Sequence, residues 1–208
     1  MRARDNPFTV QRLHAVPYRL SGLTWEEILE RLAALRFRAA LVGAHGRGKT
    51  TLLAELARRL AERGLRVRTV TLHEGDRRLS AAQRARLFRG LTLADVVFLD
   101  GAEQLGRLAW LEVRTRSRAA GGLVITSHRP GLLPTLYECH TTPGLLARIV
   151  EDLAGVDEAR RLPEAGELLA RHRGNVRDAL RELYDLCAGL TSSSAARMVT
   201  GNSHSGPG

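Results

Sequence analysis

At 208 residues, 44% hydrophobic and 26% charged, the chain is long enough to close one hydrophobic core with a small accessory and too short for two large domains. No apolar run approaches the roughly 20 residues that cross a bilayer, and no long apolar stretch follows the charged residues 1–5, so a cytoplasmic, membrane-free protein without a secretory leader is expected. The net charge of +10 suits a polyanionic partner, yet Lys49 is the only lysine among 32 basic residues, the arginines are scattered and aromatics are 4%, which leaves DNA open and disfavours base stacking.

Residues 1–22, with Asn6-Pro7-Phe8 and Pro17, show no clear period and read as an extended arm. Thr24-Trp25-Glu26-Glu27 has the form of a capping box, and Trp25, Ile28, Leu29, Leu32 and Leu35 then recur at helical spacing. From Arg38 the pattern changes to short apolar runs separated by helical ones. Residues 39–42 read as a strand, 50–63 as a helix that Gly64 ends, and 66–72 as a second strand. Ser80-Ala81-Ala82-Gln83 is another capping box for a helix to about Arg89; strands are expected at 95–99, 123–126 and 135–139, with a helix over 104–118. This alternation predicts an α/β fold: a parallel sheet covered on both faces, over residues 23–142. Residues 143–190 are helical throughout, starting at Thr142-Pro143 and including a helix capped by Asn175, and they read as a small lid. Residues 191–208, rich in Ser, Gly and Thr, read as a disordered tail. Cys139 and Cys187 have no pair of metal ligands nearby and read as small buried hydrophobes.

The chemistry concentrates at Gly43-Ala44-His45-Gly46-Arg47-Gly48-Lys49-Thr50, with Thr51 next: a Gly, four residues, then Gly-Lys-Thr, between an expected strand and an expected helix. The glycines let successive amides curl into one concavity, and the helix adds its positive end, so phosphate is the natural occupant. Lys49 would reach the β and γ phosphates of ATP, and the Thr50 hydroxyl would ligate Mg²⁺. A glycine-rich turn with a chance Lys-Thr is the bland alternative, and the flanking elements speak against it. Asp100 ends the apolar run Asp95-Val96-Val97-Phe98-Leu99 and is the candidate metal-holding acid beside Thr50. Capping of the next helix is its lesser reading. Glu103, three residues later, suits polarisation of the attacking water and capping of the next helix about equally.

Three segments together resemble the AAA+ and STAND branch of P-loop ATPases: the phosphate loop, the strand ending in Asp100, and the later strand ending Leu123-Val124-Ile125-Thr126-Ser127-His128. Asp100-Gly101-Ala102-Glu103 is similar to the STAND and NACHT form, and departs from the common AAA+ form in having Gly101 where a Glu directly follows the Asp. The resemblance, which covers residues 38–186, implies that Thr126, Ser127 or His128 senses the γ-phosphate; a polar strand end without ligand is the alternative. Gly174-Asn175-Val176-Arg177 resembles the lid segment in which an arginine at a helix start reaches the nucleotide, which marks Arg177, though a solvated arginine is the cheap reading in this composition. Arg129 is a weaker candidate for a finger into a neighbouring subunit.

No lysine outside the loop supplies the Asn-Lys-x-Asp segment that reads guanine, so ATP is preferred over GTP. The expected function is ATP binding and hydrolysis by a switch or motor acting on a separate protein or DNA partner, with homo-oligomerisation on ATP binding left open. Two alternatives remain: a small-molecule or nucleotide kinase, kept alive by Arg171, Arg173 and Arg177, and a non-hydrolysing ATP-gated binding module, for which Gly101 is the best argument.

Overall fold

The computed structural model describes residues 6–199. They divide into two compact units, one spanning Pro17–His140 and the other joining the stretch up to Val16 with the stretch from Thr141. The N-terminal arm is thus shared between the units.

The first unit is built on five strands, β1 (Arg38–Val42), β2 (Arg66–Thr71), β3 (Asp95–Asp100), β4 (Gly122–Ser127) and β5 (Thr135–Glu138), in the order β2-β3-β4-β1-β5. Every pairing is parallel. Successive residues of a strand point to opposite faces, and here both faces are apolar. Ala39, Leu41, Val96, Phe98 and Val124 join one buried cluster with Ile28, Leu52 and Leu56, whereas Ala40, Val42, Val97, Leu99 and Ile125 join another with Leu79, Leu87 and Val113. That is why the strands read as continuous apolar runs. The first face packs α2 (Trp25–Ala34) and α3 (Lys49–Glu62), and the second packs α4 (Ala81–Phe88) and α5 (Arg107–Arg116).

Both expected capping boxes form. Thr24 Oγ1 accepts from Glu27 N at 3.2 Å while Glu27 Oε2 accepts from Thr24 N at 2.7 Å. Ser80 and Gln83 repeat the pattern at 3.2 and 2.7 Å. Each box satisfies two amides that would otherwise lack partners at a helix start. The helix expected over 104–118 is shorter and is flanked by two 3-10 turns, Ala102–Gln104 and Ser117–Ala119. Leu105 is extended and Gly106 N donates to Arg77 O at 3.0 Å, so the chain leaves the helical path between the first turn and α5.

The second unit contains α1 (Val10–Ala15), α6 (Pro143–Ala154), α7 (Val156–Ala159), α8 (Ala165–Arg171) and α9 (Val176–Val199). Thr142 Oγ1 caps α6 by accepting from Leu145 N at 3.2 Å, with Pro143 in the first helical position, where a missing N–H costs nothing. Asn175 Oδ1 accepts from Asp178 N at 3.3 Å at the start of α9. Leu146, Val150, Leu168, Leu169, Leu180 and Leu183 form its core together with Phe8 from the arm. Asn6 fastens that arm: its amide donates to Tyr184 O at 2.9 Å and its side-chain oxygen accepts from Phe8 N at 2.9 Å. The backbone of α9 is helical through Val199, and 200–208 of the expected tail lie outside the described residues. Among the described residues no helix is long and apolar enough to cross a membrane.

Candidate nucleotide site

The sheet order decides where the site can be. β4 lies between β1 and β3, so the C-terminal ends of all three strands meet side by side. The phosphate loop leaves β1, Asp100 ends β3, and Thr126 and Ser127 end β4. Gly43 N donates to Ser127 O at 3.1 Å, which ties the start of the loop to the end of β4.

Two glycines of the loop are required by their neighbours. A Cβ on Gly43 would stand 2.9 Å from Cys139 O and 3.0 Å from Cys139 Cβ. Gly48, at φ 80°, caps α3 in the left-handed region, and a Cβ there would meet the Tyr18 ring at 3.0 Å. Lys49 opens α3 and is 8% exposed. Its ammonium donates to Gly43 O at 2.7 Å and Ala44 O at 3.0 Å, so it lies folded into the loop. Burial lowers the Lys49 ammonium below its ordinary value, against the opposing pull of Glu103, Cys139 and Asp100. Arg47 Nε is buried without a hydrogen-bond partner among the described residues. Ala44, His45, Thr50 and Thr51 are exposed.

Asp100 is held by hydroxyls on both sides. Its Oδ2 accepts from Thr50 Oγ1 at 2.8 Å and its Oδ1 from Thr126 Oγ1 at 2.6 Å. The Thr126 oxygen in turn accepts from Gly101 N at 2.7 Å. Thr50 and Asp100, paired from the sequence as metal ligands, are therefore neighbours across 50 residues of chain. Gly101 has a local reason: at φ 84° its Cβ would stand 2.9 Å from Leu72 O, so the position of the common AAA+ glutamate has no room for a side chain here.

Glu103, in the turn Ala102–Gln104, meets His128 just past β4, with Oε1 3.2 Å from His128 Nε2. The His128 ring stands edge-on to His45 of the loop at 5.8 Å. Burial lowers the His128 pKa, Glu103 raises it, and Lys49 and His45 lower it, with a net shift downward. Ser127 Oγ donates to Arg129 O at 2.8 Å and so is engaged in its own turn. Arg177 is the second residue of α9 and exposed, in the helical unit. Tyr18 and Cys139, which shape the loop from below, carried no signal in the sequence, because neither belongs to a local pattern and both act through long-range packing.

No protein-family model matches the chain, and no curated protein matches it. Solved structures do. A mutant of RuvB from Thermotoga maritima matches with a TM-score of 0.57 and 22% identity over 83% of this chain and 64% of that one. Another RuvB mutant matches with a TM-score of 0.58 and 17% identity over 92% and 68%. The structure described as the Thermotoga maritima RuvB Holliday junction branch migration motor matches with a TM-score of 0.54 and 19% identity over 91% and 67%. The chain has the P-loop NTPase core fold of these RuvB structures. It spans 64% of the length of the first of these RuvB chains. At such identity the likeness extends to the fold and not to activity.

Proposed function

We propose that this chain binds ATP with Mg²⁺ at residues 43–51 and hydrolyses it as a cytoplasmic nucleotide-dependent switch or motor. The observation that carries the reading is the convergence of Thr50 and Asp100, 2.8 Å apart, beside a buried Lys49 at the head of α3. The donor set fits the group: a hydroxyl and a carboxylate are hard oxygen ligands for Mg²⁺, and the loop amides with Lys49 suit phosphate. When bound, Mg²⁺ would neutralise charge on the β and γ phosphates.

The chain's own residues supply the rest. The backbone amides of 43–50 hold phosphate oxygens, and Lys49 turns its ammonium from the loop carbonyls toward them. Thr126 keeps Asp100 oriented toward Thr50. Glu103 takes the role of base, accepting a proton from water, with His128 beside it just past the end of β4, while Ser127 ends that strand as the other sensor candidate. Arg177, the second residue of α9, keeps the sensor role that the AAA+ and STAND resemblance implies. Asp100-Gly101-Ala102-Glu103 supports the STAND form of the acid pair. The RuvB likeness and the charge of +10 support DNA as the partner, and an oligomer on ATP binding is a further part of this reading.

Phosphate release with and without branched and linear duplex DNA is the direct test. Glu103→Gln should keep ATP affinity within about twofold and lower kcat about 100-fold. Unchanged turnover in that variant would remove Glu103 as the base. Binding without any hydrolysis by the parent chain would leave a nucleotide-gated module.

A further inference from the structure

Glu103 is anchored by one oxygen only. Its Oε1 lies 3.2 Å from His128 Nε2, while Oε2 is buried and without a hydrogen-bond partner among the described residues. The 3.2 Å separation is an ion-pair distance, and since a carboxylate only accepts, an imidazole nitrogen engaging it does so as the donor. The His128 ring has a second restraint in His45, whose ring meets it at 89° and 5.8 Å. A chain of contacts therefore runs from the phosphate loop through His45 and His128 to Glu103, and it comes from three separate segments.

As a source of stability the pair has little to offer, because the side chains of His128 and Glu103 are 39% and 22% exposed. What the contact fixes is direction. A glutamate on a short turn has three rotatable bonds, and a base must stand within hydrogen-bond reach of the proton it takes.

We infer that His128 is a positioning residue for Glu103: it faces Oε1 and so fixes the direction of the carboxylate, and is itself oriented by His45. This inference rests on the hydrolytic reading above. It assigns His128 to the acid and not to the γ-phosphate.

Two measurements on the full chain separate it from a structural role. His128→Ala should lower kcat for ATP by about 10- to 100-fold with KM within about twofold, and His128→Gln, whose amide can donate to Glu103, should recover most of the loss. The imidazole titration of His128, followed by NMR, should move down in Glu103→Gln, because the carboxylate that favours its protonated form is gone. The titration needs no turnover. Parental kcat in His128→Ala, or a KM effect alone, overturns the positioning role and leaves ATP hydrolysis standing. An unmoved His128 titration overturns the contact itself. A parent chain without turnover overturns the hydrolytic reading and the positioning role with it.

Discussion

Asp95 and Asp100 stand at the two ends of the same strand, 0% and 6% exposed, and are held in opposite ways. Asp95, at the start of β3, accepts from Arg66 at 3.1 and 3.0 Å, from Arg68 at 2.9 Å, and from the amide and hydroxyl of Thr92 at 2.7 and 2.8 Å. Burial by itself would push its carboxyl up, but the hydrogen bonds from the two arginines and Thr92 outweigh burial and hold it well below the usual carboxylate range. Asp100, at the far end, accepts from the Thr50 and Thr126 hydroxyls. One acid has its charge matched by the chain's own cations and acts as a brace. The other is fixed in place by hydroxyls, which bring no charge of their own, and that contrast on a single strand is what the metal role proposed for Asp100 predicts.

The brace end should show the largest effect. Asp95→Ala strips two arginines and Thr92 of their shared acceptor, and should cost about 3–5 kcal/mol in urea unfolding at pH 7. Because the folded carboxyl lies below its unfolded value near 3.9, its contribution is complete above about pH 5 and is lost as pH falls through the folded value. Asp95→Asn should therefore flatten the acid limb of stability. A parental acid limb in that variant would break the comparison at this end.

At the other end the effect should move from stability to ligand binding. Lys49→Ala should weaken ATP by about 100-fold, roughly 3 kcal/mol by calorimetry, since a charge aimed at phosphates is removed. Asp100→Asn should abolish the Mg²⁺ dependence of ATP binding while costing no more than about 1 kcal/mol in unfolding. A large stability loss without any change in Mg²⁺ response would make Asp100 a second brace.

Thr126→Val sharpens the contrast between hydroxyl and cation. It leaves Gly101 N and one Asp100 oxygen without their partner and should cost about 1–2 kcal/mol in unfolding, whereas Thr126→Ser should cost less than half of that. Equal losses in both would show that the methyl contact, and not the hydroxyl, matters.

The smallest effect belongs to the helical unit. A non-hydrolysable ATP analogue should slow amide exchange in α6, α8 and α9 by about two- to fivefold relative to ADP, and Arg177→Ala should remove that difference. Exchange indifferent to nucleotide would remove Arg177 from the reading.

Much of this was legible along the chain because it depends on neighbours in sequence. The strands could be read from apolar runs, since a parallel sheet buries both faces. The capping boxes at Thr24 and Ser80 could be read because cap and partner are three residues apart. The phosphate loop was legible because Gly43, Gly48, Lys49 and Thr50 lie within eight positions of one another. The break at Leu105 was not, since it depends on Gly106 pairing with Arg77 across the fold. Nor was the short α1, whose stretch carries no helical period.

The sequence by itself determined the parallel α/β class, the loop, and the acid at the end of β3, because each follows from local periodicity or from the backbone freedom of glycine at fixed spacing. Only the tertiary structure decided what those groups touch. The order β2-β3-β4-β1-β5 inserts β4 between loop and acid, and that insertion sets Thr126 against Asp100, His128 against Glu103 and Ser127 O against Gly43 N. Strand order is settled by how two apolar faces are covered by helices far apart in sequence, and periodicity along one strand carries no information about which strand lies beside it.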